Sequence, residues 1–345
     1  MEPQRKIIVI LGPTASGKSA LAVKLAKKIN GEIVSADSRQ VYKEFNIGSG
    51  KITKKEMSEV PHYCIDIVSP RKIFTVVDFK KCANEAIEKI FIRNKTPIIV
   101  GGTGLYIQAI VDNLVLPEVK PNWKLRKELE NKTTEEMLET LKKLDPERAK
   151  NIDAKNPRRL IRAIEIAKAL GKVPNLEIQC PSWEALQIGI KLPDEILKKN
   201  IEKRIKKMLN PPAGGGLVAE TKRLRASGLS WKRIHELGFE YKYPALFLQN
   251  KISKDEMLSK MLVENWQYAK RQMTWFKRDK RIKWTSKEKQ AEKFIKEFLK
   301  LNRGITTKHY DTPSIKTSLF QCVGNCNPMN RTLGISFNHK VQLPH

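Results

Sequence analysis

The sequence predicts an α/β protein: a parallel sheet flanked by helices and interrupted by a helical insertion. Three observations carry this expectation. Short apolar runs alternate with helical patterns over residues 1–114. A Gly-x-x-x-x-Gly-Lys-Ser spacing joins the first run to the first helix. Beyond residue 114 the chain turns charged and helical before one more apolar run returns. Strands alternating with helices build parallel pairs, because a parallel pair needs a crossover long enough to hold a helix.

Residues 6–11 (KIIVIL) are short, continuous and β-branched, which suits a strand buried on both faces. Residues 17–30 follow as an amphipathic helix, with Leu21, Leu25 and Ile29 at four-residue spacing. "GEIVSAD" is a second strand ending at Asp37, residues 76–93 a second helix, and "TPIIVGGTG" a third strand running into glycines. Residues 115–186 read as the helical insertion, after which "LQIGIKL" (186–192) is a returning strand. Residues 193–209 and 253–300 are helical and basic, separated by the break "NPPAGGG" at 210–216. The expected division is therefore 1–114 and 187–301 for the α/β core, 115–186 for the insertion, and 302–345 as a disordered tail. In that tail Cys322 and Cys326 stand near His309, His339 and His345, but their spacing matches no zinc pattern.

Lys and Arg number 66 against 37 Asp and Glu, a formal charge of +29. Either the surface is simply solvated, or the partner is a polyanion from which clustered cations release counterions. The five cysteines form no CxxC pair, and no apolar run approaches 18 residues. The expectation is a soluble cytoplasmic protein with reduced thiols and no membrane contact.

"GPTASGKS" carries Gly12, Thr14, Ala15, Ser16, Gly17, Lys18 and Ser19 between strand and helix. In such a loop the glycines let backbone N–H groups turn toward phosphate oxygens and the helix N-terminus adds positive potential. Lys18 adds a full charge and Ser19 a hydroxyl for Mg²⁺. The core is thus like that of the P-loop NTPases. ATPases of that architecture carry an acidic residue at the end of another core strand, to hold Mg²⁺ and its water. Here that strand ends in Gly101 and Gly102. The loop is therefore expected to hold a phosphorylated substrate without spending it as fuel. The nearest carboxylate is Asp37 in "SADSRQVY"; at the C-terminal edge of a parallel sheet it faces the same crevice, together with Thr103 from the third strand. An Asp after a strand also serves as a helix cap.

The cations recur at two places. "NWQYAKRQMTWFKRDKRIKW" (265–284) mixes seven Lys/Arg with three Trp, a Tyr and a Phe. That mixture suits phosphate contacts and stacking on unpaired bases. The plainer alternative is an amphipathic helix with Trp266 and Trp275 in the core, but Lys270 and Arg271 do not fit a core. In "NPRRLIRAIEIAKAL", Leu160, Ile161, Ile164 and Ala167 form a core stripe that leaves Arg158, Arg159 and Arg162 outside it. These are read as an RNA-backbone grip rather than a solvated face, because the same sign of charge recurs at two separate elements.

"GPTASGKS", "DSRQVY", "GGTGLY" and "YAKRQMTWF", in this order, resemble the tRNA dimethylallyltransferase family over about residues 6–300. The resemblance implies transfer of a dimethylallyl group from dimethylallyl diphosphate to N6 of adenosine 37 in the tRNA anticodon stem-loop, with Mg²⁺ and release of pyrophosphate. It implies that Asp37 is the general base, that Ser38 and Gln40 contact the target base, and that Arg39 and Thr103 also contact the tRNA, with Thr103 in the catalytic set. Thr14, Lys18, Ser19 and Thr103 would orient the diphosphate with Arg204. Further RNA contacts are implied at Arg126, Arg158, Arg159, Arg162, Lys270, Arg271, Gln272, Thr274 and Trp275, in a protein acting as a monomer. Three features depart from the family pattern: Asn200 where many members carry Arg, the lengthened "NPPAGGG" link, and a loose match at "LGFEYKY" (237–243). Two other classes compete. One is a free-nucleotide enzyme of the same architecture, an adenylate prenyltransferase or small-molecule kinase, which would have no use for the basic insertion or the RQMTW block. The other is a nonenzymatic RNA-binding protein, which would leave Asp37 and Thr103 without a purpose.

Overall fold

The computed structural model describes residues 5–175, 177–211 and 214–300. These divide into two compact units, one formed by residues up to 118 with 175–299, the other by residues 119–174. The first unit begins with β1 (Arg5–Leu11), α1 (Lys18–Lys28), β2 (Gly31–Ala36), α2 (Lys54–Met57), β3 (His62–Tyr63), α3 (Val76–Ile92), β4 (Thr96–Gly101), α4 (Gly104–Val111) and β5 (Leu114–Val115). The second unit holds α5 (Trp123–Glu130), α6 (Thr134–Leu144), α7 (Pro146–Asn151) and α8 (Pro157–Leu170). The chain then returns through β6 (Glu177–Ile178), β7 (Trp183–Ile190), α9 (Asp194–Leu209), α10 (Gly216–Ala226) and α11 (Trp231–Glu236). It ends in α12 (Phe239–Leu248), α13 (Lys254–Phe276), β8 (Lys283–Thr285) and α14 (Glu288–Lys300).

Six strands form one sheet in the order β3-β2-β4-β1-β7-β8, and every neighbouring pair is parallel. Strand periodicity sorts β1 onto two faces. Ile7, Val9 and Leu11 meet α3 and α4, whereas Ile8 and Ile10 meet α1 and α14. All five are fully buried, so the unbroken apolar run follows from a strand covered on both sides. Burying each such side chain contributes about 1.5–3 kcal/mol. Capping boxes start α3 (Thr75 with Asp78) and α13 (Ser253 with Glu256), satisfying backbone N–H groups that have no helical partner.

A third cluster binds α9 to α13 around Ile201, Ile205, Leu224, Tyr241 and Met261. In the second unit Leu129, Leu141, Leu160 and Ile164 make a separate core. Beside it lies Glu165, only 2% exposed. Its carboxylate takes two hydrogen bonds from Arg126 (2.6 and 2.7 Å), one from Arg162 (3.2 Å) and one from the Asn122 N–H (2.8 Å). Burial alone would raise this carboxyl; the Arg126 and Asn122 hydrogen bonds hold it below the ordinary glutamate value.

Several sequence expectations are corrected. β5 and β6 pair with each other inside the first unit, so the helical unit is 119–174 and not 115–186. β7 starts at Trp183, three residues before the apolar run that revealed it, because exposed Glu184 interrupts the pattern. The basic stretch 253–300 is two helices separated by β8, an edge strand whose charged flanks hid it. The tail at 302–345, with Cys322, Cys326 and the three histidines, lies outside the described residues. Cys64, Cys82 and Cys180 are free thiols. No helix among the described residues is long and apolar enough to cross a membrane.

Candidate active site

The C-terminal ends of β1, β2 and β4 open onto one cleft, where an open parallel sheet places its ligands. Its walls carry Thr14, Lys18 and Ser19 from the first loop and α1, and Asp37, Ser38, Arg39 and Gln40 from the turn after β2. Ser49 and Gly50 close one side; Arg204 of α9, Glu240 of α12, and Tyr268, Arg271 and Gln272 of α13 complete it.

The loop after β1 is shaped for an anion. Gly17 precedes α1 at φ +85°, a left-handed conformation that glycine adopts without strain. A side chain at Gly12 would place its Cβ 2.9 Å from the Ile190 carbonyl, so the loop packs directly on β7. Ser16 Oγ is buried without a hydrogen-bond partner. Such an orphan is costly unless a ligand satisfies it. Lys18 Nζ donates to the Pro13 carbonyl at 3.2 Å. Burial pushes Lys18 down to about 8 against the pull of Asp37, and the Arg204 guanidinium lowers it further. An incoming polyanion would reverse that shift.

Arg204 donates to Thr14 Oγ1 (2.8 Å) and to the Ser49 carbonyl (3.3 Å), which aims its guanidinium across the loop. One turn earlier on α9, Asn200 donates to the Ala15 carbonyl at 3.3 Å. Asn200 therefore braces the loop, and Arg204 is the α9 cation of the cleft wall.

Asp37 is both cap and candidate base. Its Oδ1 accepts the N–H groups of Arg39 (2.8 Å) and Gln40 (3.3 Å), closing the turn after β2. The turn uses only that oxygen. Thr103, at the N-cap of α4, accepts the Ser38 N–H on Oγ1 at 3.1 Å, so β4 props the Asp37 turn. Gln40 reaches the Gly50 carbonyl at 3.3 Å.

Two carboxyls were not legible in the sequence. Glu240 begins α12 behind Gly238, whose φ of +138° favours glycine. A Cβ on Gly238 would sit 3.0 Å from Glu240 Oε2 and 3.4 Å from Arg39 Nε, so the two side chains flank Gly238. Burial pushes Glu240 up to about 7, and nearby Asp37 adds to the rise, while Arg39 and Arg204 oppose it. The sequence signal available, an acid in the first turn of a helix, reads only as a helix-dipole partner. Glu220, 2% exposed, accepts the N–H groups of Ile47 (2.9 Å) and Gly48 (3.1 Å) and the Tyr241 hydroxyl (2.8 Å). It shapes the loop that ends in Ser49 and Gly50.

The expected RNA contacts separate on inspection. Lys270 and Arg158 are exposed, and Arg271 lines the cleft. Arg126 and Arg162 are instead engaged by buried Glu165, and Arg159 lies 3.8 Å from Asp153, so these three are not free cations on a helix face. Gln272 is 6% exposed and both ends of its amide bond the backbone, at Thr14 N (2.8 Å) and Gly102 O (2.9 Å). Thr274 is exposed and back-bonds to the Lys270 carbonyl at 3.0 Å. Trp275 packs where a Cβ on Gly104 would come within 2.2 Å of its ring, so this indole covers α4.

Residues 40–279 match the family described as IPP transferase. The tRNA dimethylallyltransferase 1 of Syntrophus aciditrophicus is 40% identical over 281 residues, covering 80% of this chain and 91% of that protein. The tRNA dimethylallyltransferase of Carboxydothermus hydrogenoformans is 40% identical over 307 residues, covering 85% and 97%. Among solved structures, the full-length tRNA isopentenylpyrophosphate transferase of Bacillus halodurans superposes with a TM-score of 0.65 at 32% identity, covering 87% of this chain and 98% of that one. A eukaryotic dimethylallyltransferase acting on tRNA gives 0.72 at 27% identity, covering 88% and 81%. With the phosphate loop, the Asp37 turn and the α13 wall gathered in one cleft, and with relatives of this kind along most of its length, the chain belongs to the IPP transferase family.

Proposed function

We propose that this protein transfers a dimethylallyl group from dimethylallyl diphosphate to N6 of adenosine 37 in tRNA. The observation that carries the reading is the pairing of an anion loop with Asp37 in one cleft, while β4 ends in Gly101 and supplies no hydrolytic carboxylate. In this reaction the allylic C–O bond breaks, the exocyclic nitrogen forms the new C–N bond, and one N–H proton passes to Asp37. An aryl amine is a weak nucleophile, so proton removal as the bond forms lowers the barrier. The diphosphate leaves with growing negative charge, which Lys18 and Arg204 are placed to meet. The target base must leave its stack to enter the cleft.

Magnesium fits the phosphate side. Mg²⁺ in such sites takes few protein oxygens and completes its shell with phosphate and water. The Ser19 hydroxyl lines the cleft beside Lys18, where it would meet the ion. When bound, the ion would neutralise charge on the leaving diphosphate.

Incubating the protein with labelled dimethylallyl diphosphate and an anticodon stem-loop, with and without ATP, tests the reading. Transfer with pyrophosphate release and no need of ATP is expected; a strict ATP requirement would return the kinase alternative.

The donor's affinity is expected to fall by at least about tenfold between pH 7 and pH 9. The sign follows from charge: the anion favours protonated Lys18, which in the free protein titrates at about 8. Glu240, at about 7, acts in the same direction because its ionised form repels the donor. Lys18→Arg, always charged, should remove one limb of the profile and Glu240→Gln the other. Calorimetric titrations across that range check this, and a flat wild-type profile would contradict it.

Salt dependence of stem-loop binding separates the arginines. Arg158→Ala and Lys270→Ala should each flatten the log–log slope by about 0.7–0.9, one phosphate contact apiece. Arg162→Ala should change the slope less, since that side chain is committed to Glu165. Equal flattening by Arg158→Ala and Arg162→Ala would overturn the assignment.

A further inference from the structure

We infer that Gln272 is a positioning residue that locks the phosphate loop to the strand end handling the target base. The inference rests on the transfer reading but assigns Gln272 a task other than RNA contact. Its carboxamide bridges two segments 88 positions apart: Oε1 accepts the Thr14 N–H at 2.8 Å, and Nε2 donates to the Gly102 carbonyl at 2.9 Å. The two partners are a donor and an acceptor, so they fix which end of the amide is oxygen and which is nitrogen.

Both anchors lead directly into the chemistry. Thr14 carries the hydroxyl that receives Arg204 at 2.8 Å, so its placement sets the cation facing the leaving diphosphate. Gly102 precedes Thr103, whose Oγ1 receives the Ser38 N–H beside Asp37. One amide therefore sets the spacing between the donor half and the acceptor half of the cleft. A Cβ on Gly102 would lie 2.3 Å from Gln272 Nε2, so a side chain at the anchor would displace the amide from it. The Thr14 N–H is also withdrawn from the set of loop donors that could face a phosphate. On the same helix, Lys270 is exposed and Arg271 lines the cleft with its Nε buried and unpartnered. Gln272 is the link from that helix to the phosphate loop. A reaction limited by the distance between two bound partners loses rate when that distance relaxes by an ångström.

Two substitutions test this. Gln272→Met keeps the length and removes both hydrogen bonds. It should raise the donor KM and lower kcat, together costing at least about tenfold in kcat/KM, with stem-loop Kd within about twofold of wild type. Gln272→Glu carries the same acceptor-plus-donor pattern only when its carboxyl is protonated, and burial should raise its pKa. Its activity relative to wild type should therefore climb several-fold as the pH falls from 8 to 6. Calorimetry with pyrophosphate alone reads the loop independently of transfer: weaker binding is expected for Gln272→Met, and this arm stands even if the transferred group has been misread. Circular dichroism and melting of each variant control for folding, and the pH ratio of Gln272→Glu is internal to one protein. A Gln272→Met protein with weakened stem-loop binding and unchanged pyrophosphate affinity would overturn the inference in favour of an RNA contact. Wild-type behaviour of both variants would also overturn it.

Discussion

Asp37→Asn is expected to lower the rate of prenyl transfer by about 10²–10⁴-fold, the usual worth of a general base. Stem-loop and donor affinities should stay within about twofold. Asn is the informative substitution because it keeps an Oδ1 that can accept the Arg39 and Gln40 N–H groups. The turn survives and only proton acceptance is lost. Asp37→Ala removes both, adding the loss of a cap, about 1 kcal/mol, to the loss of the base. Single-turnover rates at saturating donor check the prediction, since they isolate chemistry from product release. Asp37→Asn turnover above about a tenth of wild type would remove Asp37 from the role.

Glu220→Ala is expected to be the largest stability effect in the core around the cleft. The carboxylate is 2% exposed and serves the N–H groups of Asn46, Ile47 and Gly48 and the Tyr241 hydroxyl. Proximity to this carboxylate and burial hold the Tyr241 hydroxyl well above its ordinary pKa, burial first. Truncation strands all four donors, at about 1–3 kcal/mol for each left buried and unsatisfied. The expected loss is at least about 3 kcal/mol, a fall in Tm of at least about 4 °C for a chain of 345 residues. Gln at this position keeps one acceptor oxygen and should fall between the two. Because the same loop ends in Ser49 and Gly50, and Arg204 binds the Ser49 carbonyl, donor affinity should weaken with stability. Calorimetric melting of the three proteins checks the order; Glu220→Ala melting within about 2 °C of wild type would contradict it.

What the sequence disclosed follows from range. The phosphate loop and the Asp37 turn are local: a buried strand, a glycine pair, a helix start and a carboxylate after a strand are all visible within a few residues. The cleft's far wall is not. Glu220 and Glu240 reach the site from α10 and α12, and nothing in their own neighbourhoods distinguishes them from surface charges on helices; Arg204 of α9 came only through the family resemblance. Arg126 and Arg162 show a partner that the pattern does not reveal. The helical stripe places Arg162 outside the core, but Glu165, three residues on, is buried and draws both arginines to itself. Gln272 sits in a run of cations and aromatics that reads as RNA-facing, yet its helical turn faces the loop at Thr14, 258 positions away. β3 and β8 escaped notice because strands of two and three residues at a sheet edge have no room to show a period.

The central claim is that one cleft brings an allylic diphosphate to the exocyclic amine of a nucleotide in RNA. The most direct test is a competition in which labelled dimethylallyl diphosphate is offered to the protein with an anticodon stem-loop bearing adenosine at position 37, with the same RNA bearing guanosine there, and with AMP. Nuclease digestion and mass spectrometry then locate the label. Label on N6 of adenosine 37 alone, released by no other nucleotide and absent from AMP, is the predicted result. Label on AMP at a rate equal to or above that on the stem-loop, or transfer to the guanosine RNA, would contradict it.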